Sequence, residues 1–309
     1  MPLLQADPGV GRIVGIARRS FDPAAHGWTK MTYREGDVRD PEALEGAFAG
    51  ADVVVHLAFM ITGRAPRPTI REINVEGTLN TFRAAAAAGV KRFVYASSVA
   101  AYGFGRDNPV GMTEDWPTRP AEHLFYAREK AEIEERLAAA AAEHPALGLY
   151  VLRPPTVLGP HSVGAKTFVP EPLEPIARRV AGIALRLPLR APVLVPSLQL
   201  QLIHEDDVGA ALRLCVIGAG PPGAYNIAGD GVLTLADVAR ELGFLPVTLP
   251  RAPGQTALRL LAALPFAPPS VGWAEALSGP AIMDDAKARR ELGWAPRYSG
   301  LEALRDALR

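Results

Sequence analysis

The sequence predicts an α/β protein: a doubly wound parallel sheet followed by a smaller, less regular C-terminal region. Short runs rich in β-branched residues alternate with longer helical patterns, as parallel strands and their crossover helices must. That alternation is the signature of a parallel sheet covered by helices on both faces. The alternation stops after Arg153, and residues 154–202 are instead rich in proline and aliphatic side chains.

Strands are predicted at 12–17, 32–36, 53–58, 92–98 and 148–153. Asp40 is placed to cap a helix that starts at Pro41, a residue favoured in the first turn. Residues 70–88 form a long alanine-rich helix closed by Gly89, and the next helix runs over 122–143. Residues 1–153 thus make the sheet domain, and 154–309 make mainly a substrate-binding region. Within the latter, 199–228 is expected to return to the main sheet, through strands at 200–204 and 224–228 and a helix after Asp207. A terminal helix is expected at 285–292, and Asp206 or Asp207 as an N-cap.

Thirty-three basic residues balance thirty-three acidic ones among 309, so no net field draws the chain to nucleic acid or to anionic lipid. Small-molecule chemistry is the class that remains. Cys215 is the single cysteine; it excludes an intramolecular disulfide, fits a reducing cytoplasm and reads as a buried apolar residue. The first residues have no basic region or apolar run of the kind a signal peptide needs, and the apolar stretch 183–203 is broken by prolines and arginines, so no membrane span is expected. The six histidines share no ligand-like spacing with carboxylates or thiols, and no metal site is expected.

Tyr126 and Lys130 stand four residues apart in a helical pattern, on one helix face. A nearby ammonium favours the phenolate, so the spacing predicts a phenol brought toward use as a general acid or base. The plain alternative is a solvated face on which Lys130 pairs with Glu129 or Glu134. Upstream, the strand 93–98 ends in Ser97 and Ser98, at the carboxyl edge where ligands of such sheets bind. A serine there can hydrogen-bond a hydroxyl or carbonyl while Tyr126 handles the proton; capping a turn is the structural alternative. His56, on an apolar strand, reads as a satisfied core histidine, and His204 as structural.

The run from Ser97 to Gly103 followed by Tyr126 to Lys130 resembles the extended short-chain dehydrogenase/reductases, with their NAD-dependent epimerases and dehydratases. Residues 36–40, 56–58, 74–78, 152–160 and 204–208 are similar to further signatures of that family, in the expected order. The resemblance implies a Rossmann-type fold and hydride transfer at a secondary alcohol or ketone of a small molecule, a sugar nucleotide or a hydrophobic alcohol. It selects Ser98 over Ser97 as the catalytic serine, with Tyr126 as acid/base and Lys130 on the nicotinamide ribose. Asp37 and Val38 are implied near the adenine, Leu57 and Ala58 beside the cofactor, and Asn74 and Pro154 as further cofactor-side residues. It also suggests a homodimer through the helices 70–88 and 122–143.

A family member should open with a strand, a glycine-rich loop and a helix aimed at the pyrophosphate. Here Gly9-Val10-Gly11 leads into a strand rather than out of one, and residues 3–7 look like the tail of that helix. The sheet is therefore expected to lack its first strand, and a longer natural chain, by about 25–30 residues, is the corresponding expectation. Losing about eight to ten ladder bonds at roughly 0.5–1.5 kcal/mol each would threaten folding. A non-catalytic remnant or cofactor-sensing binding protein is the alternative function, and a membrane-surface protein using 258–266 has little charge support. Arg18 and Arg19, at the end of the second strand of that fold, favour NADP over NAD, because guanidinium suits a 2′-phosphate. The aliphatic residues among 185–198 and 258–266 suggest a hydrophobic pocket or simple packing between lobes, and Arg178, Arg179, Arg186 and Arg190 a diphosphate site or solvated charge.

Overall fold

The computed structural model describes residues 1–61, 65–105, 107–120, 124–161, 191–249 and 279–309. A short helix α1 (Pro2–Ala6) leads to strand β1 (Ile13–Ala17), which pairs in parallel with β2 (Met31–Glu35). Helix α2 (Pro41–Phe48) is capped as its sequence predicts: the Asp40 carboxylate accepts from the amides of Glu42 at 3.0 Å and Ala43 at 3.2 Å. Strand β3 (Val53–His56) follows. The expected helix 70–88 is three joined pieces: α3 (Arg67–Arg71), a π turn (Glu72–Glu76) and α4 (Gly77–Ala87). Gly89, at φ +71°, turns the chain out of α4 in the left-handed conformation. Strand β4 (Arg92–Ala96), helix α5 (Phe125–Glu143) and strand β5 (Gly148–Arg153) complete the alternating part.

Strand β10 (Gly223–Asn226) joins these in one parallel sheet of order β10–β5–β4–β3. Side chains alternate across it as the pleat demands. Phe93 and Tyr95 face a core shared with Leu44, Phe48, Leu79, Phe82, Ile133 and Leu137. Val94 faces the opposite core with Leu152, Ile203, Cys215, Tyr225 and Trp294. Cys215 is buried there and its thiol is pushed up to about 12 by desolvation, consistent with an inert apolar role. Strands β1 and β2 form a separate ladder; among the described residues no strand pairing joins β1 to β3. Val14 and Ile16 of β1 still pack against the core that holds Val54 of β3.

Three expectations need correction. Of the segment 199–228, only β10 joins the main sheet. β8 (Gln199–Leu200) pairs with β11 (Leu233–Thr234), and β9 (Leu202–His204) with β6 (Thr156–Leu158). Helix α6 (Glu205–Ile217) is capped by His204, whose ring nitrogen accepts from the Asp206 amide at 3.1 Å, and not by Asp206 or Asp207. The buried Asp207 carboxylate instead accepts the amides of Arg297 and Tyr298, at 2.9 and 3.2 Å. The stretch 285–292 ends in a π turn at Ala288–Leu292, and a further helix α8 (Gly300–Ala307) lies beyond it, capped by Ser299 and Glu302. Helix α7 (Leu235–Glu241) and the parallel pair β7 (Pro192–Pro196) and β12 (Leu245–Leu249) form a small outlying layer. The aliphatic residues at 185–190 and 258–266, and Arg178, Arg179, Arg186 and Arg190, lie outside the described residues.

Candidate active site

The carboxyl ends of β3, β4 and β5 converge with the first turns of α5. After β4 the chain is buried, and Ser98 (7% exposed) caps a single 3₁₀ turn, its hydroxyl accepting from the Ala100 amide at 3.2 Å. The same hydroxyl shares a hydrogen bond with the Tyr126 phenol. Ser97 is turned elsewhere: its hydroxyl donates to the Glu134 carboxylate. The structure thus brings Ser98 to Tyr126 and holds Ser97 in the protein interior.

Lys130, one turn beyond Tyr126, is 4% exposed. Its ammonium donates to the Ala96 carbonyl at 2.7 Å and to the Tyr95 phenol at 3.2 Å, and lies 4.0 Å from the centre of the Phe59 ring and 5.9 Å from that of Tyr126. Neither Glu129 nor Glu134 takes it in an ion pair. Glu129 accepts from the Asn74 amide at 2.7 Å, and Glu134 is engaged by Arg153, with Nη2 at 2.5 Å. Burial pushes the lysine down to about 7, partly opposed by the charges of Glu134 and Glu129. The Tyr126 phenol stands above its ordinary value because burial outweighs the Ser98 hydrogen bond. This corrects the expectation of a phenol drawn down by its lysine: the ammonium is directed at Tyr95 and Ala96, and desolvation dominates.

The segment after β3 forms one wall. Asn74, in the π turn, bonds Met60 twice, accepting from its amide at 2.6 Å and donating to its carbonyl at 3.0 Å. His56 is a satisfied core histidine, pushed down to about 3 by burial, with Nε2 3.0 Å from the Thr78 hydroxyl. Leu57 (59% exposed) and Ala58 form an open apolar ledge. Pro154 is buried, and its carbonyl accepts from the Val99 amide at 2.9 Å. At the far end Arg18 and Arg19 are exposed beyond β1. Asp37 is bonded by Arg39 at 2.8 Å and held below the usual carboxylate range, first by that side-chain hydrogen bond. Val38 packs against Gly77, where a Cβ would collide with it.

Sequence reasoning missed Phe59 and Tyr95, placed Glu129 and Glu134 only as surface partners of Lys130, and did not foresee the buried network of Glu134, Arg153, Tyr102 and Asn226. In that network Arg153 Nη1 lies 2.6 Å from the Tyr102 phenol oxygen, and the phenol 2.8 Å from Asn226 Oδ1. Tyr95, inside the strand that ends at the serines, carried a signal by position, as did Tyr102 in the run 97–103 and Arg153 at the end of the strand 148–153. Among the described residues no group of three or more histidine, cysteine or acidic side chains could hold a metal, and no helix is long and apolar enough to cross a membrane.

A parallel sheet with a serine, a tyrosine and a lysine gathered at its carboxyl edge defines the class, an α/β enzyme with a Tyr–Lys couple. Residues 3–228 match the model of the NAD dependent epimerase/dehydratase family, and the chain belongs to that family. An uncharacterised protein of Mycobacterium tuberculosis is 29% identical over 315 residues, covering 99% of this chain and 78% of its own length. The N-acetyl-alpha-D-glucosaminyl-diphospho-ditrans,octacis-undecaprenol 4-epimerase of Escherichia coli is 37% identical over 131 residues, 42% of this chain and 38% of that protein. The crystal structure of a dTDP-glucose 4,6-dehydratase from Streptomyces venezuelae with NAD bound superposes with a TM-score of 0.70 at 21% identity, over 99% of this chain and 90% of that one.

Two groups of exposed or half-buried residues could hold the ends of such a dinucleotide. Leu57 and Ala58, just ahead of Phe59, offer an exposed apolar ledge at the end of β3, and Asp37 with the exposed arginines offers polar groups beyond β1 and β2.

Proposed function

We propose that the chain catalyses reversible hydride transfer at a secondary alcohol or ketone of a small molecule, an epimerisation or dehydration of a sugar nucleotide or an oxidation of a hydrophobic alcohol. The hydrogen bond between Ser98 and Tyr126, with Lys130 one helical turn away, carries this reading. Bound NAD(P) supplies the hydride acceptor. Ser98 polarises the substrate oxygen and holds it against the phenol. Tyr126 takes or returns the hydroxyl proton, and its buried setting keeps it protonated until an oxygen is presented. Lys130, one helical turn beyond the phenol, orients the ribose. The family membership supports the reaction class, and the nucleotide-sugar and lipid-linked sugar substrates in the two named relatives support a sugar carrying a diphosphate.

Arg18 and Arg19 support NADP over NAD, since two exposed guanidinium groups stand where β1 ends. A homodimer through α4 and α5 is part of the same proposal.

The test is turnover of UDP- and dTDP-sugars, polyprenyl-diphosphate sugars and hydrophobic secondary alcohols with NAD and with NADP, followed by cofactor absorbance and product analysis. Tyr126→Phe is expected to lower turnover about 10²–10⁴-fold. Unchanged turnover in that variant overturns the assignment.

A further inference from the structure

The ammonium of Lys130 makes two hydrogen bonds, to the Ala96 carbonyl at 2.7 Å and the Tyr95 phenol at 3.2 Å, and faces the ring of Phe59, 4.0 Å from its centre. The Phe59 ring also meets Tyr126 edge-on, with centroids 5.4 Å apart at 84°. One ring therefore touches both members of the couple. Its backbone is held in place, because Asn74 clamps the adjoining Met60 at both amide and carbonyl and is itself anchored to Glu129 of α5.

We propose that Phe59 is a positioning residue: its ring closes the space between Tyr126 and Lys130, excludes water from the ammonium, and makes the couple work dry, while Tyr95 is the acceptor that seats the lysine. This rests on the reading of Tyr126 and Lys130 as the proton machinery.

Two effects of the ring oppose each other. Its π face attracts the cation and favours the charged lysine. Its bulk removes water and favours the neutral amine. Desolvation prevails, since the lysine is pushed down to about 7 by burial. The groups facing it do not reverse this. Glu134 and Glu129 on α5 raise its proton affinity, but the first is engaged by Arg153 and Ser97 and the second by Asn74. On β4 Tyr95 is a neutral phenol held well above its ordinary value by burial, and on β3 His56 is neutral. Tyr126, the other titratable group beside it, is also held protonated by burial.

The proton affinity of Lys130 is read directly by trace acetylation of the full chain with acetic anhydride across pH. The Lys130 peptide is quantified by mass spectrometry, and circular dichroism checks the fold of each variant. Phe59→Ala is expected to admit water and raise the labelling midpoint by about one pH unit or more, a tenfold change in proton affinity. Phe59→Leu, which keeps an apolar cover without the π face, is expected to leave the midpoint at or below that of the wild type. Tyr95→Phe removes an acceptor from the charged form and is expected to lower it. The proposal is overturned if folded Phe59→Ala titrates like the wild type, or if Phe59→Leu rises as far as Phe59→Ala. No substrate enters the measurement, so its failure is distinct from failure of the catalytic reading, which Tyr126→Phe turnover decides.

Discussion

The β3–β4–β5–β10 sheet and the β1–β2 pair are both parallel ladders, yet they differ sharply in what surrounds them. Phe93 and Val94 are fully buried and Tyr95 is 1% exposed, whereas no residue of β1 or β2 is buried. The first sheet has helices and a core on each face and carries Ser98 at its edge, with Tyr126 and Lys130 packed over it. The second is two strands with one neighbour each, bearing Arg18 and Arg19 on its open end. Ser98, Tyr126 and Lys130 are thus anchored in the doubly covered part, and Arg18 and Arg19 ride on the sparsely covered part. An acid–base pair needs sub-ångström constancy and a dry setting, while a phosphate contact tolerates solvent.

The contrast is sharpest for buried charge. The native lysine at 130 binds a proton less readily than an unfolded one, whose ordinary value is near 10.4. The unfolded chain therefore holds more protons between about pH 7 and 10, and stability rises with pH across that window. Lys130→Met should remove that rise, a difference of order 5 kcal/mol between the two ends, measured by urea unfolding at several pH values. A variant with the wild-type slope breaks the argument.

Next in size, Arg153→Met strands the buried Glu134 carboxylate, with both side chains only 8% exposed, and should cost about 3–5 kcal/mol by denaturant midpoint. Phe93→Ala should cost a comparable ~3–5 kcal/mol, but Ile16→Ala in half-buried β1 only about 1–2 kcal/mol. Equal losses at the two positions would erase the distinction between the regions. The smallest effect belongs to the Asp37–Arg39 pair, which solvent screens: Asp37→Asn should change stability by less than about 1 kcal/mol.

Much of the sheet was legible because continuous runs such as 92–96 can only be doubly covered strands, and the Tyr126–Lys130 spacing speaks through the helix period alone. What stayed hidden depends on contacts between distant segments. Phe59 is one apolar residue among many until folding sets it against Lys130, 71 positions away by number. Glu134 and Arg153 show their pairing only when α5 lies over β5. The same holds for β8 and β9, whose short apolar runs fit the main sheet as well as the small pairs they form. Helix α8 is different, since Ser299 and Glu302 spell a capping box that could have been read. The π turn at Glu72–Glu76 has no sequence mark that we recognise.

Asp207 gathers the chain's last stretch onto one buried carboxylate, holding the amides of Arg297 and Tyr298 while the Trp294 indole donates to its carbonyl. A protease that clips the tail just ahead of Arg297 would leave that anion sealed in the interior without its amide donors. Trimming should therefore condemn the whole molecule to unfolding and degradation instead of yielding a compact, functional fragment.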